Sequence, residues 1–336
     1  MKISASIFSD SEKNILTTID NLNSYHVDVI HVDCKNRLSI FDDIKVIREN
    51  SNLPIDLHII TNNPEAYYPG IIKYNIDYVT FQYEDLIDKK LTVPSDYKGK
   101  LGIGITTFTD ISVFENYKDS FDFILMMATI PGESGGKFDK SNFTKIREFS
   151  QQYPEKKIHV DGGVNAEVSF ILRNMGVYLS VSGSYLFNSV SIGSALLNLK
   201  LNEIESHFLV KDFMQKTDSS PVINSKDLTL ESLLLTFKKG ALGFAIINDE
   251  NDKFAGIIGN ADLRNGLLKH VNDLNSLNMQ ELINPNPLVI NENINVHEML
   301  QFIKKQTKPV IYLPVVNNNN NTVGVVSFLN LIKGEL

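Results

Sequence analysis

The chain has 336 residues, long enough for one large and one small domain. It is 43% hydrophobic and 21% charged, with 19 Gly, 11 Pro and no Trp, which excludes a mostly disordered or fibrous protein. A formal net charge of −8 excludes the basic footprint of a dedicated nucleic-acid binder. The longest apolar run, Phe123–Ile130 with one Thr inside it, falls far short of the ~20 residues a membrane helix needs. The N-terminus lacks the apolar core of a signal peptide, and the single Cys34 fits a reducing compartment. These features predict a cytoplasmic protein with neither nucleic acid nor membrane as partner.

From Lys2 to about Leu186, short β-rich runs alternate with amphipathic stretches. Strands are predicted at Ile3–Phe8, Val27–Asp33, Ile55–Ile60, Tyr78–Phe81, Leu101–Thr106, Phe123–Ala128, Lys157–Asp161 and Tyr178–Ser182. Helical patterns lie between them at Asn14–Asn23, Asp42–Glu49, Lys140–Gln152 and Ala166–Met175. This α/β alternation fits a doubly wound sheet or a closed (β/α)8 TIM barrel, and eight strands is the barrel number. A barrel carries its chemistry at the C-terminal ends of its strands.

After a helical segment at Ser191–His207 the pattern changes to an internal repeat. Pro221-Val-Ile-Asn224, a helix ending at Lys238-Lys239 and Gly256-Ile-Ile-Gly259 recur as Pro287-Leu-Val-Ile-Asn291, a helix through Lys304-Lys305 and Gly324-Val-Val-Ser327. The offset drifts from 66 to 68 residues, giving two small βαββα modules. The predicted domains are a barrel over 1–205 and a smaller α/β pair over 206–336, with modules at about 208–272 and 273–336. The five asparagines Asn317–Asn321 read as a hairpin tip, since Asn tolerates positive φ.

The densest polar signal lies at three predicted strand ends: His31-Val-Asp33, Asp56-Leu-His58 and His159-Val-Asp161. Side chains at i and i+2 of a strand share a face. Two histidines and two carboxylates from these ends make a four-ligand set for a divalent transition metal, and either carboxylate can carry a proton. A single His-x-Asp of this kind is commonly a structural hydrogen-bonded pair; three at one barrel mouth are not so easily explained. Ser6 ends the first strand on the same rim. Gly162-Gly163 and Gly183-Ser184 follow strands seven and eight, a recurrent phosphate site in such barrels. Pro131-Gly-Glu-Ser-Gly-Gly136 has the glycine content of a lid.

Over about residues 1–190, these and neighbouring motifs resemble ribulose-phosphate 3-epimerase. The matching segments are Ala5-Ser-Ile-Phe8, Ile30-His-Val-Asp33, Ile55-Asp-Leu-His58, Asn63-Pro-Glu-Ala-Tyr67, Met127 through Phe138, Val160-Asp-Gly-Gly-Val164 and Ser182-Gly-Ser184. The resemblance implies that His31, Asp33, His58 and Asp161 bind one divalent ion (Zn, Fe, Mn or Co), with Asp33 and Asp161 as paired acid and base. It places Ser6, Met127, Gly132 and Gly135 at the substrate and Gly162, Gly163, Gly183 and Ser184 at its phosphate. Asp56 and His159, one pleat below, are candidates for orienting the ligands or, equally, buried polar residues with no such duty. Lys35-Asn-Arg37, Ile60, Glu133 and Ser134 depart from the family pattern. They make a related ketose phosphate an alternative substrate. Asp33-Cys-Lys35 also begins the Asp-x-Lys-x-x-Asp pattern of orotidine-type decarboxylase barrels, but Leu38 stands where its second Asp belongs.

The second half resembles a tandem CBS-domain pair, with Gly256 to Arg264 similar to the segment found in capsule-type arabinose-phosphate isomerases. Such pairs often bind adenine nucleotides through a Gly-x-x-Ser/Thr-x-x-Asp pattern. Asp262 and Ser327 each match half of it: Gly259 replaces the first module's hydroxyl and Asn330 the second module's Asp. The expected protein is therefore a metal-dependent ketose-phosphate 3-epimerase, an isomerase that self-associates, with a CBS pair for nucleotide regulation or dimerisation. The rival reading is a non-catalytic sensor of sugar phosphates and nucleotides.

Overall fold

The computed structural model describes residues 1–10, 14–86, 91–92, 94–132, 135–200, 207–240, 243–307 and 310–328. The lid positions Glu133 and Ser134, and Asn330, lie outside them. The chain divides into two compact units, Met1–Ile204 and Glu205–Leu329.

The first unit is a closed parallel barrel with strands in sequential order. They are β1 (Lys2–Ser6), β2 (Val29–Lys35), β3 (Ile55–Ile60), β4 (Tyr78–Gln82), β5 (Lys100–Thr106), β6 (Phe123–Met127), β7 (Lys157–Asp161) and β8 (Leu179–Ser182), and β8 pairs back onto β1. Both faces of such a strand are covered, one by helices and one by the barrel interior, so all six residues of β3 are buried. The helices are α1 (Ile15–Ser24), α2 (Ile40–Asn50), α3 (Tyr68–Lys73), α4 (Ser141–Gln152), α5 (Ala166–Asn174), α6 (Ser184–Phe187) and α7 (Ile192–Lys200). Sequence signals set several of their starts: Asn14 and Asn165 cap α1 and α5 by accepting from the N–H groups of Thr17 and Val168. Between β5 and β6 the crossover is a 3-10 segment, Ile111–Asn116.

The second unit holds α8 (Val210–Phe213), β9 (Gln215–Lys216), β10 (Val222–Asn224), α9 (Leu230–Gly240), β11 (Phe244–Asn248), β12 (Phe254–Gly259), α10 (Asn260–Lys269), β13 (Ile290–Asn291), α11 (Val296–Lys304), β14 (Tyr312–Val316) and β15 (Thr322–Ser327). The sheets run β10-β11-β12 and β13-β14-β15-β9. The repeat read from the sequence is visible in equivalent side chains 68 positions apart. Phe244 and Tyr312 stack on each other, 3.5 Å between centroids and 6° from parallel. The asparagine tract is a hairpin tip, with Asn320 at φ 60°. It also meets the equivalent turn of the first module: the Phe254 N–H donates to the Asn320 carbonyl at 2.8 Å, and the Lys253 ammonium to the Asn319 carbonyl at 2.7 Å. Among the described residues, no helix is long and apolar enough to cross a membrane.

Candidate active site

Strand register sets the site. Asp33 lies level with His58, His31 with Asp56 and with Ser6, and Met127 with Asp161. One ligand atom from each of His31, Asp33, His58 and Asp161 falls within 4.8 Å of all the others. Both imidazoles are fully buried, while the Asp33 and Asp161 side chains keep 27% and 15% exposure toward the mouth. The cluster therefore opens to a substrate on its carboxylate side.

Each imidazole is held from outside the cluster. His31 Nδ1 donates to Asp56 Oδ2 at 2.9 Å, leaving Nε2 to face Asp33 at 3.2 Å and Asp161 at 3.7 Å. His58 Nε2 lies 2.7 Å from Gln82 Oε1, and its Nδ1 lies 3.2 Å from Asp33 Oδ1. The same Asp33 oxygen thus faces two imidazole nitrogens whose rings already donate on their far sides. Neutral rings would present it with two lone pairs. A cation at the centre removes that conflict and suits the donor set of two nitrogens and two carboxylates, so these residues fit a divalent metal.

The electrostatics separate the two candidate proton carriers. Burial raises the Asp33 pKa, but the charge on His31 and its hydrogen bond, with the second imidazole close by, outweigh it and hold the carboxyl far below its usual range. Asp161 is pushed up to about 6, chiefly by burial, with Asp33 adding repulsion. Burial works against a charge on His31, yet Asp33 and Asp56 hold its pKa well above the ordinary imidazole value. Two carboxylates whose environments drive them apart suit opposite acid–base roles.

Ser6 accepts from the Ser9 hydroxyl at 3.1 Å, and Met127 is buried on β6. In the loop after β7, Gly162 and Gly163 have φ of 110° and 66°. A Cβ at Gly162 would meet Thr129 Oγ1 at 2.3 Å and one at Gly163 the Phe138 N at 2.2 Å, so only glycine lets this loop press against the chain leaving β6. A Cβ at Gly183 would strike Ser9 Oγ at 2.2 Å, and Ser184 opens α6. Gly132 and Gly135 have φ of 78° and 85°, and Gly132 lies over the Ile60 side chain.

Asp56 holds His31, as expected of an orienting group. His159 does not hold a ligand. Its ring is stacked 3.9 Å from Phe123, beside Tyr178, and both ring nitrogens are buried without a hydrogen-bond partner. Its position on β7, one pleat below Asp161, puts it among aromatic rings rather than against the cluster. Gln82 and Glu84 escaped the sequence reading because strand four was ended at Phe81. The available signal was a Gln at the strand's C-terminal residue with an acid two positions on.

The ribulose-phosphate 3-epimerase family model matches residues 2–187, more than half of the chain. The chain belongs to that family. It is an enzyme of the isomerase class, a sugar-phosphate epimerase. A CBS-domain model matches residues 279–335. Among curated relatives, ribulose-phosphate 3-epimerase of Bacillus subtilis is 25% identical over 213 residues, which cover 60% of this chain and 98% of that enzyme. The enzyme of that name from Methanocaldococcus jannaschii is 26% identical over 236 residues, covering 66% of this chain and 97% of its own. Similar solved structures include the CBS-pair protein CBSX2 of Arabidopsis thaliana, 19% identical over 38% of this chain and 94% of its own, with a TM-score of 0.31.

Proposed function

We propose that the barrel is a metal-dependent 3-epimerase of a ketose phosphate, interconverting ribulose 5-phosphate and xylulose 5-phosphate or a close relative. The observation that carries it is the gathering of His31, Asp33, His58 and Asp161 within 4.8 Å at the barrel mouth. Inverting a carbon beside a ketone means taking a proton from one face and returning one to the other. Asp33 and Asp161 are the two proton carriers, one taking the proton as base while the other returns one as acid, and they exchange roles in the reverse direction. A divalent cation held by the four side chains supplies positive charge against the negative charge left on the substrate oxygens by proton removal. Asp56 and Gln82 keep the imidazoles turned toward the centre. Ser6, Met127, Gly132 and Gly135 line the sugar, and the loops at Gly162, Gly163, Gly183 and Ser184 bind its phosphate.

Metal-loaded protein incubated with ribulose 5-phosphate in D2O tests this by deuterium entry at C3, followed by NMR. Asp33→Asn and Asp161→Asn are each expected to slow exchange by about 10²–10⁴-fold. Absence of exchange in the wild type with a panel of ketose phosphates overturns the assignment. For the C-terminal unit we propose a nucleotide effector contacting Asp262 and Ser327, each half-exposed at the start of α10 and the end of β15. Isothermal titration with AMP, ATP and CMP checks it, and no heat from any of them removes the effector.

A further inference from the structure

The two imidazoles of the cluster differ in how they are held. His31 is braced directly by a carboxylate, Asp56. His58 is braced by a neutral amide that is itself fixed at a distance. Gln82, 1% exposed, presents its Oε1 to His58 Nε2 at 2.7 Å and its Nε2 to Glu84 Oε2 at 2.5 Å. Glu84 Oε1 accepts from the Thr106 N–H at 2.9 Å, the Thr106 hydroxyl at 3.1 Å and the Thr109 hydroxyl. All four partners donate, so Glu84 is held as an acceptor-only carboxylate. Gln82 must therefore give it an N–H and turn its carbonyl to His58. A glycine in β5 makes room for this: a Cβ at Gly104 would strike Gln82 Oε1 at 2.7 Å.

We propose that Gln82 and Glu84 are positioning residues that fix the tautomer of His58, placing its proton on Nε2 so that the Nδ1 lone pair faces the metal cluster. The loop after β5, through Thr106 and Thr109, is the anchor of that relay. With Glu84→Gln the new amide can donate as well as accept. Gln82 is then free to turn its N–H toward His58, and the ring proton moves to Nδ1, against the incoming cation. Gln82→Met removes the acceptor outright while leaving the hydrogen bonds from Thr106 and Thr109 to Glu84 intact.

The metal-affinity arm of the test rests on the metal proposal above; the tautomer arm does not. In metal-free, ¹⁵N-histidine-labelled full-length protein at pH 8.5, long-range ¹H–¹⁵N correlation is expected to show the His58 proton on Nε2 in the wild type and on Nδ1 in Glu84→Gln and Gln82→Met. Competition with a chromophoric chelator is expected to show Zn²⁺ bound 10–100-fold more weakly by both variants. Thr107→Val cuts that hydroxyl's bonds to the Met127 carbonyl and from the Asn142 amide in the same loop. It leaves Glu84 alone and is expected to change neither reading. A wild-type tautomer in both folded variants overturns the proposal, as does Thr107→Val weakening Zn²⁺ as much as they do. A wild type that binds no Zn²⁺ but shows the tautomer switch keeps the relay and removes the metal reading instead.

Discussion

In the barrel, Asp33, Asp56 and Asp161 direct their carboxylates at imidazoles carried by other strands or across the pleat of their own. In the C-terminal unit, equivalent polar residues turn back on their own backbone. Asp249 Oδ1 accepts from Asn251 and Lys253, Asn317 Oδ1 from Asn319 and Asn321, and Asp262 Oδ2 from Gly259, each within four residues. The same side-chain chemistry thus builds a site on the barrel strands and turns and caps at these loops of the second unit. What separates them is whether the local backbone offers N–H groups: barrel strands have theirs paired along the ladder, so a polar side chain pointing inward must find its partner on another strand.

The largest test of that contrast is His159, a barrel residue that breaks it, buried with neither nitrogen paired. Burial pulls its pKa down to about 4, from an ordinary 6.5. A group depressed in the fold contributes stability above its unfolded pKa, so the contribution is present above pH 6.5 and is lost as pH falls from there toward 4. The gap corresponds to about 3 kcal/mol. Urea midpoints of the wild type at pH 7 and pH 4.5 should differ by more than those of His159→Leu. Equal differences would mean that His159 contributes nothing to the acid sensitivity.

A smaller effect is expected from backbone crowding in the second unit. A Cβ at Gly256, where φ is 152°, would lie 2.3 Å from the Asn284 carbonyl oxygen, and one at Gly324 2.2 Å from that of Gln215. These are matching positions of the repeat, and at each a segment from elsewhere in the chain pairs antiparallel alongside the strand. Gly256→Ala and Gly324→Ala should each lower stability of this unit by about 1–3 kcal/mol, measured by denaturant unfolding. C3 exchange by the barrel should be preserved; its loss with either variant would show that the units are not separable in function. The smallest change is assigned to Asp262→Ala. Removing the cap on α10 should cost about 1 kcal/mol, and a loss several times larger would mean that Asp262 does more than cap.

The three strand ends that form the cluster were legible because strand alternation and barrel closure are both encoded in spacing, while the choice of His31, Asp33, His58 and Asp161 among their polar residues came from the family resemblance. Gln82 was missed because the apolar run that marks β4 stops at Phe81, although the strand continues one residue further. For His159 the sequence left both an orienting role and a plain buried one open, because periodicity gives the face of a strand but not what packs at that depth. In the repeat, the glycines were visible, but their reason was not, since Asn284 and Gln215 come from segments 28 and 109 residues away in the chain.

The pairing at Gly324 has a consequence for synthesis. β9 forms its ladder with β15, and the Thr217 hydroxyl reaches the Val323 carbonyl at a separation of 106 positions. The ribosome releases Gln215 and Lys216 long before their partner strand exists, so this sheet is completed only after translation has passed Ser327. The barrel, whose last ladder needs only residues up to Ser182, can close while the second unit is still being made.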